Sequence, residues 1–217
     1  MSSPGPVSEP PASGGQDDAF SGREVTLDVL REHVAAGHPL VEAELTAVDL
    51  RELDLSDTDL SRAVLVGCQL TGPLGRATGA VFIDCELIGL DGRTTPFDEA
   101  VFERCRLADA DLVAADFTGA TLAGADLQRA NLSGALLTDA DLSEADLRNA
   151  DLSGASMLGT QLPGANLSGA SLRRAKIQSA VFDGCELGGA DLSEARVEQS
   201  AFYEVDIRNA KIEQAAF

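Results

Sequence analysis

The chain has 217 residues, a net charge of −20, and 8 Phe, 1 Tyr and no Trp. That charge argues against direct binding to nucleic-acid phosphates or anionic lipid, and leaves basic proteins as fitting partners. No run of about 18 apolar residues is present to span a membrane, and the first 16 residues lack the basic start and apolar core of a signal peptide, so a cytoplasmic setting is expected.

Residues 1–24 hold Pro4, Pro6, Pro10 and Pro11 among several Gly and Ser, which predicts a disordered leader. A capping helix is expected within 25–41. Thr26 stands as its N-cap, Leu27, Leu30 and Val34 lie at helical spacing, and Gly37 followed by Pro39 ends it. His33 and His38 read as surface or capping side chains, since neither has a Cys or paired carboxylates at ligand spacing.

Over 42–217 a large apolar residue recurs every five positions. The run is unbroken from Phe97 through Leu107, Phe117, Leu127 and onward to Ile212 and Phe217. A small residue such as Ala110, Ala120 or Ala125 stands two places before nearly every one. Five helical residues advance about 140° net, so a helix would scatter these centres around all its faces. A flat strand would throw successive centres to opposite sides. A short extended run followed by a two-residue corner keeps them all inward, and repeated corners wind the chain into a solenoid with a right-handed bias.

Two places depart from the period. Phe82 stands twelve residues after Leu70, which puts an insertion near 71–79, and Gly92 holds a centre position within 89–96. Gly and Pro content suggests a bulge or loop at the first. The second keeps the phase, which leaves open a loop, a coil continued in altered form, or Leu90 substituting for the missing apolar group; loops on a regular scaffold carry specificity. The loop candidates are Pro73, Leu74, Arg76, Asp91 and Arg93.

Units such as Ala125-Asp126-Leu127-Gln128-Arg129 and Ala140-Asp141-Leu142-Ser143-Glu144 resemble the pentapeptide-repeat family. The resemblance implies an all-β solenoid, a right-handed quadrilateral β-helix with four repeats per coil, here with an N-terminal capping α-helix. Side chains twenty residues apart then stack, so Phe82 should lie over Phe102, and Phe182 over Phe202, at about 4.8 Å.

Little in the chain suggests catalysis. Cys68, Cys85, Cys105 and Cys185 all occupy the small-residue position and are expected to be buried thiols rather than zinc ligands or disulfides. Neither His lies in the repeats, and no Ser/His/Asp or Cys/His set can be assembled. No enzyme activity, metal or cofactor is expected.

Charge is more informative. Asp109, Asp111, Asp116, Asp126, Asp139, Asp141, Glu144, Asp146 and Asp151 form an acidic band with only Arg129 and Arg148 among them, whereas Arg173, Arg174 and Lys176 form a small basic cluster. Within the family, resemblance to the quinolone-resistance subgroup implies a DNA mimic that modulates or protects DNA gyrase or topoisomerase IV, with the band meeting the enzyme's basic DNA-binding saddle. The capping helix, and a chain ending on a repeat instead of the C-terminal dimerising helix usual there, are departures from that subgroup. An assembly or targeting module tethered by the leader is the alternative. The last coil, with Phe202, Tyr203, Ile212 and Phe217, predicts a head-to-head homodimer.

Overall fold

A five-residue repeat can form a coil only if its backbone groups find partners. The computed structural model describes residues 27–66, 68–70 and 76–217, and the repeat around Leu127 shows where those partners are. The N–H of Leu127 donates to Asp146 O of the following coil at 2.8 Å, and that of Arg129 to Arg148 O at 3.0 Å. Ala130 N–H closes the corner on Leu127 O at 3.0 Å, and Asn131 N–H reaches back to Ala110 O at 2.9 Å. The remaining amide, that of Gln128, donates to the side-chain Oδ1 of Asp126 at 3.1 Å. All five donors of the repeat are satisfied.

Repetition of this scheme gives parallel pairings twenty residues apart, such as Arg106 with Asp126 and Asp126 with Asp146. Four repeats therefore make one coil. Where the run flattens, short strands appear: β1 (Glu44–Thr46) pairs with β2 (Val64–Val66), and β3 (Ser156–Leu158), β4 (Lys176–Gln178) and β5 (Arg196–Glu198) form a three-stranded parallel sheet in the order β3-β4-β5. At the corners, the residue two after nearly every described centre takes a left-handed conformation. Ala114 does so at φ 54° and Arg129 at φ 57°, as does Gly124 at φ 64°.

The insertion is resolved as a change of register. Asp49 pairs with Gln69, twenty residues on, but Asp54 pairs with Arg76 and Asp59 with Val81, twenty-two residues on; Val81 pairs with Val101 at twenty again. The two extra residues lie between Leu70 and Arg76. Ala77 holds the missing centre position, fully buried, and its amide donates to Pro96 O at 3.0 Å. The interruption expected over 71–79 is therefore shorter, since 76–79 already follow the repeat. Pro73, Leu74, the leader and Thr26 lie outside the described residues.

The second expected interruption, 89–96, is corrected by the structure: it is regular coil. Asp91 bridges Gln69 on one side and Asp111 on the other, and Gly92 N–H donates to Asp111 O at 2.9 Å. The missing side chain at Gly92 is replaced by its neighbours, because a Cβ there would meet Leu112 Cδ2 at 3.0 Å and Phe97 Cε2 at 3.1 Å.

Inside, centres and small residues form one continuous buried core from Leu30 to Val197. Phe82 and Phe102 stack at 4.6 Å, and Phe182 and Phe202 at 4.7 Å. Phe97 stacks on Phe117 at 5.1 Å and meets Phe102 edge-on at 5.2 Å. The four rings of Phe82, Phe97, Phe102 and Phe117 thus fill the part of the core where Ala77 and Gly92 are undersized. Several inward polar groups at the small-residue position are satisfied by carbonyls of the preceding coil: Thr160 Oγ1 donates to Leu137 O at 2.7 Å, and Cys105 Sγ to Phe82 O at 2.8 Å.

The N-terminal end of this core is closed by α1 (Leu27–Ala35), whose Leu30 is fully buried while Leu27 and Val34 pack at the margin. Gly37 (φ 73°) ends the helix, with its N–H on Val34 O at 2.8 Å and that of His38 on His33 O at 3.2 Å, the paired bonds of a Schellman cap. Arg31 ties the helix to the coils through Glu52 at 2.6 Å. Coil pairing begins at Leu40, whose N–H donates to Asp59 O at 2.7 Å, two residues earlier than the expected boundary at 42.

Candidate protein-binding surface

The residue immediately before each centre points outward, and these residues stack into columns up the four sides of the solenoid. One side carries Glu86, Arg106, Asp126, Asp146, Asn166, Glu186 and Asp206; the next, a quarter-coil on, carries Asp91, Asp111, Asn131, Asp151, Ser171, Asp191 and, at its end, Lys211. These adjacent columns are the most acidic surface of the rod. The other two sides are mixed: Val81, Val101, Thr121, Asp141, Gln161 and Val181 on one, Pro96, Asp116, Leu136, Ser156, Lys176 and Arg196 on the other.

Local chemistry explains why Asp suits these positions. One carboxylate oxygen accepts the amide two residues on, as Asp151 does from Ser153 at 2.8 Å and Asp116 from Thr118 at 3.0 Å. Asn131 and Asn166 serve Ser133 and Ser168 in the same way at 3.1 and 2.9 Å. The turn thus needs an oxygen, not a charge, and the preference for Asp adds negative charge that the fold does not require.

The nine residues of the acidic band are not brought together on one surface. Asp126 and Asp146 share one column and Asp111 and Asp151 the next, but Asp116 and Asp141 stand on the remaining two sides. Asp109, Asp139 and Glu144 occupy left-handed corner positions with φ of 55–60°. Contiguity in sequence carries the band around the rod as a girdle. Grouping by twenty residues is the signal that finds the two acidic columns.

Arginines moderate the repulsion within these columns. Arg129 grips Asp109 of the preceding coil at 2.7 Å, Arg106 pairs with Glu86 at 2.6 Å, and Arg104 with Asp84 at 2.7 Å. Arg148 and Arg208 instead fold back on their own turns, onto Asp146 at 2.5 Å and Asp206 at 2.6 Å. Hydrogen bonds from Arg208 hold the Asp206 carboxyl down to about 2, and Arg148 lowers Asp146 in the same sense. Asp111 is served differently: Oδ1 is enclosed without a hydrogen-bond partner, and Oδ2 lies 3.5 Å from Arg93 Nε.

Arg76, Asp91 and Arg93, expected in loops, sit on regular coils, with Arg93 bonded to Asp91 at 2.9 Å. The thiols of Cys68, Cys85, Cys105 and Cys185 are buried and in no disulfide; burial pushes Cys185 up to about 12. At the C-terminal coil Phe202 is half-buried against Phe182, while Tyr203, Ile207, Ile212 and Phe217 are 56–73% exposed. No helix among the described residues is long and apolar enough to cross a membrane.

These observations define a parallel β-solenoid of five-residue repeats with charged outer columns. The model of pentapeptide repeats matches in 8 copies, over residues 40–72, 97–134, 130–169, 170–209 and 180–217, and the chain belongs to that family. Among solved structures it is similar to HetL, a pentapeptide repeat protein involved in heterocyst differentiation regulation from the cyanobacterium Nostoc sp. strain PCC 7120. The two share 29% identity over 89% of this chain and 95% of that chain, with a TM-score of 0.37. A trypsin-treated variant of QnrB1, a plasmid-mediated fluoroquinolone resistance protein, is 19% identical over 73% of this chain and 88% of that one, with a TM-score of 0.45. Rfr23 from the cyanobacterium Cyanothece 51142 is 31% identical over 49% of this chain and 67% of that one, with a TM-score of 0.36. No curated protein matches the chain.

Proposed function

We propose that this chain is a non-enzymatic protein-binding scaffold, a right-handed quadrilateral β-helix that offers the charge pattern of duplex DNA to the basic DNA-binding saddle of DNA gyrase or topoisomerase IV, and so modulates or protects the enzyme. The observation that carries the reading is the pair of adjacent acidic columns through Asp126–Asp146 and Asp111–Asp151. Their density supports it. Nine stacked coils at about 4.8 Å give a rod of roughly 40 Å. Of the net −20, three units belong to residues 1–26, whose charged residues are Glu9, Asp17, Asp18, Glu24 and Arg23. The remainder amounts to about one negative charge per 2 to 2.5 Å, against one per about 1.7 Å in duplex DNA.

The test is gyrase supercoiling with and without a fluoroquinolone. Addition of the chain is expected to change supercoiling or relieve drug-stabilised cleavage, and Asp126→Asn/Asp146→Asn/Asp151→Asn should remove the effect with the fold intact, since Asn keeps the turn bond that each of these carboxylates accepts. No effect of the wild-type chain at micromolar concentration would sink the proposal. The exposed apolar side chains of the C-terminal coil support a homodimer through that end. Sedimentation is expected to show a dimer that Ile212→Ser/Phe217→Ser converts to monomer; a wild-type monomer at high concentration would refute it.

A further inference from the structure

We propose that the outer side of β3–β5, together with Leu136 beside it, is a second binding surface, fitted to an extended acidic protein segment with an aliphatic or aromatic anchor. Lys176 and Arg196 are register partners in β4 and β5 and both are exposed. Like charges placed directly opposite in a sheet destabilise it. Among the described residues neither has a carboxylate at ion-pairing distance, whereas the neighbouring Arg173 and Arg174 are both held by Glu194 at 2.8 Å. In a chain of net charge −20, two adjacent unmatched cations are an unspent attraction for a negative partner.

The same surface carries an apolar half. Leu136 pairs with Ser156 of β3, and Leu158 lies two residues further along that strand; both leucines are 43% exposed. Two coil steps separate Leu136 from Lys176, about 10 Å, which three residues of extended chain span at about 3.3 Å each. The fitting ligand therefore has its anchor about three residues from a pair of acids. The leucines favour a protein segment over a phosphate polymer, and the surrounding negative charge is screened beyond about 8 Å at physiological salt, so the local cations decide binding. Glu198, the carboxylate on the outer side of β5, opposes it. This surface is independent of the acidic columns and of topoisomerase binding.

The experiment is fluorescence anisotropy on the full chain with a fluorescein-labelled synthetic peptide bearing one Leu and, three residues on, two Glu. Binding is expected to weaken about tenfold or more on Lys176→Glu/Arg196→Glu and with added salt, as for paired interfacial charges. It should weaken on Leu158→Ser or when the peptide Leu becomes Ser, and tighten on Glu198→Gln. Arg62→Glu, a single charge reversal near the other end of the rod, should leave it unchanged. Circular dichroism verifies each variant, and Lys176→Gln/Arg196→Gln replaces the charge reversal if that variant does not fold. The proposal is overturned if the wild-type chain does not bind the peptide, if the Lys176/Arg196 variants bind equally well, or if duplex DNA or polyphosphate binds this patch as tightly.

Discussion

The ring of Phe97 occupies the space beside Gly92 that a side chain at that centre position would need, with Cε2 only 3.1 Å from where a Cβ would stand. Glycine is the complement of a large neighbour here, not a flexible break. Gly92→Leu restores the five-residue pattern and is nevertheless expected to destabilise the protein, by about 1–3 kcal/mol as for other overpacked cores. Urea unfolding measures this. Gly92→Ala combined with Phe97→Leu should cost less than the two single changes added together, because each relieves the crowding the other leaves.

That pair also shows what the sequence conveys and what it conceals. The stacking of Phe82 on Phe102 and of Phe182 on Phe202 is legible because a fixed period determines which side chains share a column. Ala77 is not, since Ala is also the usual residue two places before a centre and so masks its own role. The 89–96 stretch stays ambiguous in sequence because Gly and Pro signal turns, yet every repeat already contains one, and only the retained phase points to the continued coil. For the surface, the contiguous acids suggest a patch, whereas each five-residue step moves them a quarter of the way around. The Lys176–Arg196 juxtaposition emerges only when residues twenty apart are compared.

Corner positions provide a second test. Ala114 holds φ 54°, whereas Gly124 in the equivalent place holds φ 64° with only the flexible Arg104 side chain near. Left-handed backbone costs an L-residue roughly 1–2 kcal/mol. Gly124→Ala should therefore lower stability and Ala114→Gly raise it, each by somewhat less than that amount, since glycine loses more chain entropy on folding. Thermal unfolding of the two variants is expected to shift in opposite directions.

Thr160 supplies a third. Its hydroxyl is fully buried and donates to Leu137 O. Thr160→Val keeps the shape and removes the donor, with an expected loss of about 1–3 kcal/mol. Thr160→Ser, which keeps the hydroxyl, should restore the bond and lose only a methyl group's worth of packing. Chemical denaturation of the two variants separates the contributions.

The thiols offer a fourth, without mutation. All four are buried, and a thiol must reach solvent as thiolate to react. A disulfide-exchange reagent at pH 8 is expected to label none of them in the folded chain and all four in guanidinium. Rapid labelling of any one under native conditions would show that its coil opens locally.

Acid titration is the fifth. Asp49 and Asp206 both titrate at about 2 in the folded chain, lowered chiefly by side-chain bonds from Arg51 and Arg208, against an ordinary 3.8. A carboxyl depressed by folding contributes stability that is complete above its unfolded value and is lost as pH falls through the folded one. The contribution of these pairs should thus persist down to about pH 4 and vanish toward pH 2. Carbon-detected NMR should place the Asp206 midpoint near 2, and Arg208→Gln should raise it toward 3.8.

Spacings of twenty-two residues run from Asp54–Arg76 through Gln69–Asp91, with twenty-residue spacings before and after them, so the added length between Leu70 and Arg76 is absorbed within a single layer. Layers beyond it resume their alignment without compensation. The segment between Leu70 and Arg76 is thus a natural grafting point: a guest peptide introduced there should leave the pairing of the coils on either side of it unchanged.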